Sequence, residues 1–337
     1  MVVGTKVFAL ESCEHRCDAI MVLMRGGLMA VIASLGTLGV HSAAQGAVNL
    51  SDNASATAYA GGAWPNQSNG SVNGATGLGP WYQGPAGSGV NQAATWGFFT
   101  GPSANIYGIT AADTIDTNGQ SWGIYADNGT GSDAAVPAAY RGFTAISAAN
   151  GNTSTFSLSM VTGAMSNPGQ EGFELQSYNP STGYATPIFQ VAAAGSGNYY
   201  SLSYGGYTAA NPGFTNSMNT SIKSVNDGTG TGNDGSGITV AFTLESPTTF
   251  QVTLTPMNPA QGAAYSTGTL TGLNSLPVNQ LMVYNDNAGL ASQYDYFNSL
   301  QITEPNPTPE PASLTMIATA GGLLLLAGKR KREGGHR

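Results

Sequence analysis

Apolar and polar residues alternate along most of the second half of the chain. Between Thr153 and Thr162, for example, Phe156, Leu158 and Met160 alternate with serine and threonine. A repeat of two residues is that of a β-strand with one buried and one solvated face. The segment is therefore predicted to be a strand at the surface of a layered β domain.

The same alternation predicts further strands. Ile238–Leu244 and Phe250–Leu254 are separated by a short turn around Pro247, so they are expected to pair as a hairpin. No ten-residue stretch between residues 48 and 304 has the apolar stripe of a helix. Many short strands divided by Gly, Asn, Asp, Ser and Pro predict an all-β fold, an antiparallel jelly-roll-type β-sandwich. The other predicted strands are 121–126, 172–177, 188–193, 199–204, 281–284 and 294–303, and residues 48 to 95 are expected to pack on the sandwich as a loosely regular layer.

The C-terminal end breaks this pattern. Residues 312–328 are seventeen uncharged, mostly apolar residues, which as a helix would span roughly 25 Å, slightly less than a hydrocarbon core of about 30 Å. A buried soluble helix is the alternative, but a cluster of basic residues follows directly and would stop translocation. We therefore predict a single transmembrane helix at 312–328 and a basic cytoplasmic tail at 329–337, with the stop formed by Lys329, Arg330, Lys331 and Arg332.

The N-terminal end has the features of an export signal. Residues 28–40 are an apolar stretch of signal-peptide length, and Arg25 supplies the positive charge in front of it. Small residues for cleavage follow at Ala44, Gly46 and Ala47. Residues 1–47 are therefore predicted to be a signal peptide with a helical core, and the exported domain is 48–304.

The first twenty residues do not fit this signal plan. They hold both cysteines of the chain, Cys13 and Cys17, with His15 between them. A metal or redox site is one interpretation, but three ligands are too few to close a structural zinc site. The other interpretation is that the assigned start codon lies too far upstream and that translation begins at Met21 or Met24.

The composition of residues 48–304 excludes several kinds of chemistry. This range contains no cysteine and no histidine, so it cannot form a Ser-His-Asp triad, a Cys-His pair or a histidine-ligated metal site. It has thirteen acidic residues and only two basic ones, Arg141 and Lys223, for a net charge of −11. Nucleic acid is therefore not an expected partner.

A proline-rich stretch joins the domain to the apolar segment. Residues 305–311 hold four prolines, which keep the backbone extended like a stalk. Pro309, Glu310 and Pro311, followed by the apolar segment and the basic cluster, resemble the PEP-CTERM sorting signal of Gram-negative bacteria. The resemblance covers about the last thirty residues. It implies export through the inner membrane and processing by an exosortase, a membrane-embedded protease, which would leave the protein on the cell surface, in the outer envelope or secreted.

A second resemblance concerns the exported domain. Its motifs DTNGQSWGIYADN, AAYRGFTA, GFELQSYNPSTG and DYFNSLQIT, beginning at residues 116, 138, 172 and 295, are similar to those of secreted laminin-G or concanavalin-like jelly-roll domains. The resemblance covers about two-thirds of the domain. It implies a carbohydrate-binding or matrix role, and not a defined reaction.

Loop residues supply the candidate ligand contacts. Trp64 and Trp81 would stack on sugar rings, or would instead anchor their loops to the sandwich. Asp227 and Asp234, in a glycine-rich loop, would be calcium ligands, although a flexible turn explains the same residues. No other metal or cofactor is expected.

These features predict a non-enzymatic function. Glu171 and Glu174 are the nearest pair of carboxylates, and residues three apart on a strand face opposite sides, so a glycoside hydrolase is the least favoured interpretation. We expect an exported surface or matrix protein that binds glycan or exopolysaccharide. A purely structural envelope component without a ligand is the alternative.

Overall fold

The described part of the chain is built almost entirely from β-strands. The computed structural model describes residues 48–68, 77–85, 95–106, 109–127, 136–148, 153–163, 169–195, 197–206, 213–224, 237–286 and 294–304. In these ranges three single-turn 3₁₀ helices occur, at Thr57–Tyr59, Ser103–Asn105 and Pro259–Gln261. The strands are β1 Val48–Asp52, β2 Leu78–Pro85, β3 Thr95–Gly101, β4 Ser121–Asp127, β5 Pro137–Ile146, β6 Ser154–Val161, β7 Gln170–Asn179, β8 Tyr184–Ala194, β9 Tyr199–Tyr204, β10 Asn216–Lys223, β11 Ile238–Leu244, β12 Thr249–Pro256, β13 Tyr265–Thr271, β14 Val278–Asp286 and β15 Tyr294–Glu304.

The strands form two antiparallel sheets that make a sandwich. The first sheet has the order β13-β12-β11-β6-β15-β4-β3, and β1 pairs with the C-terminal half of β15 beyond the end of β4. The second sheet has the order β10-β9-β8-β7-β14-β5-β2. The predicted hairpin is confirmed as β11 and β12, which pair from Ile238 with Pro256 to Leu244 with Phe250.

The alternating residues explain how the two sheets meet. Every second residue of β11 is buried, β12 shows the same periodicity, and β6 shows it as far as Leu158. Phe242 in the first sheet lies 5.1 Å from Phe189 in the second, measured between ring centroids, and Phe156 lies 5.9 Å from Phe173. The apolar face of each sheet therefore covers that of the other, and this interface is the core.

The N-terminal part of the domain is more regular than the sequence suggested. β1 and β2 are strands of the first and second sheets respectively, and not a separate loose layer. Between them, Tyr59 packs edge-on against Trp122 with ring centroids 5.5 Å apart. Alternation does not predict β2, because its sequence, LGPWYQGP, contains two glycines and two prolines.

The predicted terminal segments cannot be compared with this structure. The signal peptide 1–47, the stalk 305–311, the apolar segment 312–328 and the basic tail 329–337 all lie outside the described residues. Within the described ranges, no helix has the length and apolar character needed to cross a bilayer.

Candidate functional site

The outer surface of the second sheet has a row of aligned polar and aromatic side chains. In β7, Phe173 and Leu175 point into the core, so Glu174 between them points outward. The strand register aligns Glu174 with Met282 on one side and Gln190 on the other. The row continues to both edges of the sheet, and we call it the polar row; its members are Tyr82, Tyr140, Met282, Glu174, Gln190, Ser203 and Ser217.

Glu174 is the centre of a hydrogen-bond network on this surface. The side-chain amide of Gln176 donates to one carboxylate oxygen of Glu174 over 2.8 Å, and that of Gln190 lies 3.3 Å from the other. Gln190 also donates to the hydroxyl of Tyr284, 2.8 Å away. Gln176 and Glu174 lie on β7, Gln190 lies on β8 and Tyr284 lies on β14, so these bonds join three strands and hold two amides, a carboxylate and a phenol in fixed orientations.

Burial shifts the pKa values of these groups. Burial raises the pKa of Glu174, and the hydrogen bond from Gln176 opposes this rise with a smaller effect. The pKa of Tyr140 is raised first by burial and then by the negative charge of Glu174. Burial also places the pKa of Tyr284 well above its ordinary value, with a further contribution from Glu174. Both tyrosines therefore keep their protons at neutral pH and can donate hydrogen bonds.

The side chains of the network are largely covered, since Tyr284 is 3% exposed and Gln176 is 4% exposed. Tyr284 is flanked in its own row by small residues, since it pairs with Gly172 and with Ala138. At the edge strand, Tyr82 exposes 52% of its surface. The side-chain oxygen of Gln176 is buried and has no hydrogen-bond partner among the described residues.

The carboxylates of this surface are too far apart for the usual hydrolytic pair. Asp286 shares the outer face with Glu174 but lies four residues along β14 from Met282, the neighbour of Glu174. Four residues of strand span about 13 Å, whereas glycosidases place their two carboxyl groups at most about 9.5 Å apart. In the described part of this surface, Glu174 therefore lacks a second carboxylate at catalytic distance.

Glu171 belongs to a different, internal site. As expected from its spacing, it faces the side opposite to Glu174, and it is fully buried. Its carboxylate accepts hydrogen bonds from the amide of Gly163 and the side chain of Asn285, both over 3.0 Å. Burial raises its pKa to about 8. Asp295 is also buried, and its pKa is raised well above the ordinary value by burial and by the charge of Glu171.

The two tryptophans predicted to contact glycan are in the core. Trp64 is 2% exposed and Trp81 is fully buried, and their rings pack edge-on with centroids 5.0 Å apart. A buried indole cannot stack on a sugar, so the structure corrects this assignment in favour of the alternative, that these residues anchor their segments. Trp122 belongs to the same cluster, 5.3 Å from Trp81.

Other predicted sites lie beyond what the structure describes. Asp227 and Asp234, the calcium candidates, fall outside the described residues, as do the sorting motif and the cleavage region. Among the described residues, no group of three or more His, Cys, Asp or Glu side chains is arranged to hold a metal ion.

Sequence reasoning missed the polar row for a definable reason. Alternation places Glu174 and Gln176 on an outward face, but it cannot show that Gln190 and Tyr284 lie on the adjoining strands. A signal was present in the sequence, because Glu, Gln and Tyr are concentrated at outward positions of β7, β8 and β14. The outward positions of β6 and β11 instead hold mainly Ser or Thr.

Comparisons with known proteins find likeness only among solved structures. No family model matches the sequence, and no curated protein does. An endo-1,3-β-glucanase from Streptomyces sioyaensis has 14% identity and a TM-score of 0.34 over 67% of this chain and 97% of its own. A family 7 alginate lyase, A1-II′, has 13% identity and a TM-score of 0.37 over 60% and 85%. A legume lectin-like domain from Entamoeba histolytica has 10% identity and a TM-score of 0.34 over 50% and 78%. At these TM-scores the likenesses assign the chain to none of these families, and the sandwich architecture rests on its own strand pairing.

Proposed function

We propose that this protein is an exported carbohydrate-binding protein that holds a neutral polysaccharide on the outer surface of its second sheet. The observation that carries the proposal is the network in which Glu174, Gln176, Gln190 and Tyr284 present fixed hydrogen-bonding groups beside the ring of Tyr140. Sugars display hydroxyl groups around an apolar ring, so they match a surface of amides and carboxylates interleaved with aromatic rings.

The dimensions of the polar row favour an extended ligand. It crosses all seven strands of the second sheet, and neighbouring strands are about 4.8 Å apart, so its length is roughly 29 Å. A single sugar would occupy only a small part of this length. A polysaccharide chain lying across the strands would contact several members of the row at once.

Charge favours a neutral glycan over an acidic one. The polar row contains Glu174 and no lysine or arginine, and the domain carries thirteen acidic residues against two basic ones. Uronate or sulfated polymers would be repelled by this surface and would find no cation to pair with. A ligand without charge avoids both penalties.

Binding to immobilised polysaccharides tests the proposal. The full-length chain would be assayed against neutral glucans, mannans and galactans and against alginate and pectate. We expect retention by at least one neutral polymer, and a roughly tenfold weaker affinity for Gln190→Ala, equivalent to about 1.4 kcal/mol. Gln251→Ala, a half-buried glutamine on the first sheet, is the matched control and should bind normally.

The possible outcomes separate the alternatives. Absence of binding to every polymer would reject the proposal and leave a structural envelope component. Release of reducing sugar from a bound polymer, lost in Glu174→Gln, would instead indicate a hydrolase. Equal loss of affinity in Gln190→Ala and Gln251→Ala would show that the polar row is not the binding surface.

Export and sorting form the second part of the proposal. We propose that Pro309-Glu310-Pro311 is an exosortase site and that the apolar segment is a temporary anchor, inserted with the basic cluster in the cytoplasm. The mature protein should then lack residues 329–337. Mass spectrometry of the envelope and secreted fractions of the native host tests this, since intact peptides covering Gly334 to Arg337 at the cell surface would contradict processing.

A further inference from the structure

A pocket lies on the opposite side of the sandwich, on the outer surface of the first sheet. It encloses about 270 Å³ and is lined by one phenylalanine, three tyrosines and one asparagine, namely Phe99, Asn105, Tyr125, Tyr294 and Tyr296. Strand alternation places them there, because Phe98, Ile124 and Phe297, their neighbours in sequence, pack into the core. The pocket is therefore separated from the polar row by both sheets.

Two glycines explain how the rings come to lie against the sheet. Gly97 pairs across the strands with Tyr125, and Gly123 pairs with Phe99. A Cβ atom at Gly97 would lie 2.7 Å from the ring of Tyr125, and one at Gly123 would lie 2.3 Å from the ring of Phe99. Each ring therefore covers the backbone of a glycine, as in aromatic rescue of a β-sheet glycine.

The rings meet at steep angles, which makes a pocket instead of a continuous stack. Phe99 and Tyr294 have centroids 5.3 Å apart with their planes at 73°, and Phe99 and Tyr296 are 5.5 Å apart at 85°. Tyr125 and Tyr294 are 6.2 Å apart at 89°. Perpendicular rings present both faces and edges to the space between them, which suits a small ring-shaped ligand with axial and equatorial groups.

The pocket also contains a buried hydroxyl group, that of Tyr296, beside the side chain of Asn105. Tyr296 is fully buried, and its hydroxyl makes no hydrogen bond of regular geometry with a described residue. Asn105 is near enough to lower the pKa of Tyr296, although burial raises it by more. Asn105 itself is exposed and offers both a donor and an acceptor.

Size and charge narrow the class of ligand. Pockets for drug-sized molecules begin at about 300 Å³, so this one, at about 270 Å³, suits a single small ring. None of the five lining residues that the structure describes carries a charge. Aromatic walls with hydroxyl and amide groups match the apolar face and the hydroxyls of a neutral pyranose.

We infer that this pocket is a second carbohydrate site, which takes one neutral pyranose unit, and that the domain can bridge two glycan chains on its opposite faces. Sugar binding in the pocket follows from the residues that line it, whereas bridging of two glycan chains also rests on the function proposed for the polar row. A protein with one site per face would cross-link polysaccharide without oligomerising.

Saturation-transfer NMR tests the pocket directly. The full-length protein would be mixed with neutral methyl glycosides of glucose, galactose, mannose and N-acetylglucosamine. We expect transfer to at least one glycoside, abolished in Tyr294→Ala, retained in Tyr294→Phe, and reduced about tenfold in affinity in Asn105→Ala. Because Asn105 is exposed, its replacement leaves folding intact even where Tyr294→Ala disturbs it.

Variants in the two sites distinguish the two claims. Transfer that survives Gln190→Ala but disappears in Asn105→Ala supports the pocket, whatever the fate of the polar row. Transfer unaffected by Asn105→Ala and Tyr294→Ala, or no transfer at all, would overturn it. Bridging predicts that the protein aggregates beads coated with a bound neutral polysaccharide and that Asn105→Ala and Gln190→Ala each prevent this. Aggregation unchanged by either variant would reject bridging.

Discussion

The buried ion pair of the domain offers a quantitative test of how its N-terminal strand is held. Arg141 in β5 and Asp52 at the end of β1 form an ion pair in which both side chains are fully buried. The guanidinium also donates to the carbonyl of Gly79 over 3.0 Å and lies 5.1 Å from the ring of Trp81. Asp52 accepts a second hydrogen bond from the hydroxyl of Tyr59, over 2.6 Å. The pair therefore links the two sheets through the core.

Asp52→Asn keeps the shape of the side chain but removes its charge. The guanidinium of Arg141 then remains buried without a counter-charge, and breaking such a pair costs about 3–5 kcal/mol. For a domain of this size each kcal/mol shifts the melting temperature by about 2–4 °C. We expect a fall of roughly 6–20 °C, measured on the full-length protein by near-ultraviolet circular dichroism, which reports the packing of the tryptophans around Arg141.

A double-mutant cycle tests the reasoning. Arg141→Met alone should also be strongly destabilising, because it leaves the carboxylate of Asp52 buried. Asp52→Asn combined with Arg141→Met should be more stable than the sum of the single losses by about 2 kcal/mol or more. Lys223→Gln, at the only other basic residue of the described ranges, is the control and should change stability by less than about 0.5 kcal/mol. A loss below about 1 kcal/mol in Asp52→Asn, or strictly additive losses, would refute the account.

Three further predictions concern stability. The pKa of Glu171 in the folded state is about 8, so between about pH 4.5 and 8 the folded protein binds more protons than the unfolded one, and its stability should fall as the pH rises. Glu171→Gln should make the melting temperature less dependent on pH in this range. A pH dependence equal to that of the wild type would contradict the prediction. In a urea titration, Gly123→Ala should lower the free energy of unfolding by about 1–3 kcal/mol, because the new Cβ atom would meet the ring of Phe99. Gly213 has open space around it, so Gly213→Ala should leave the free energy of unfolding unchanged in the same titration. Phe242→Ala should cost about 3–5 kcal/mol in urea unfolding, and a loss below about 1 kcal/mol would show that the ring is not part of the core.

The sequence predicted the elements whose two faces differ most. β6, β11 and β12 bury large apolar residues on one side and carry mainly Ser, Thr or Gln on the other, so their type and pairing followed from periodicity. Trp122 alternates with Ile124 along β4, and both are buried. β2 could not be found in this way, because glycine and proline interrupt its pattern and its place in the sheet comes from pairing with β5.

The candidate sites depended on contacts between distant segments. Gln190 and Tyr284 are 94 residues apart but share a hydrogen bond, and only the strand order brings them together. Trp64 and Trp81 were assigned to loops from the surrounding Gly, Pro and Asn residues, which give no information about burial. Local composition thus indicates where a turn lies, whereas the side chains that meet are decided by register.

The position of β15 constrains when the domain can fold. This strand lies between β6 on one side and β4 and β1 on the other, although it is the last described strand to be synthesised. Before residues 294–304 emerge, the described strands of the first sheet form two halves with open edges, and the core between the sheets is incomplete. Such late, long-range pairing is slow. Nascent chains should therefore stay protease-sensitive, and dependent on chaperones, until almost the whole domain has been translated.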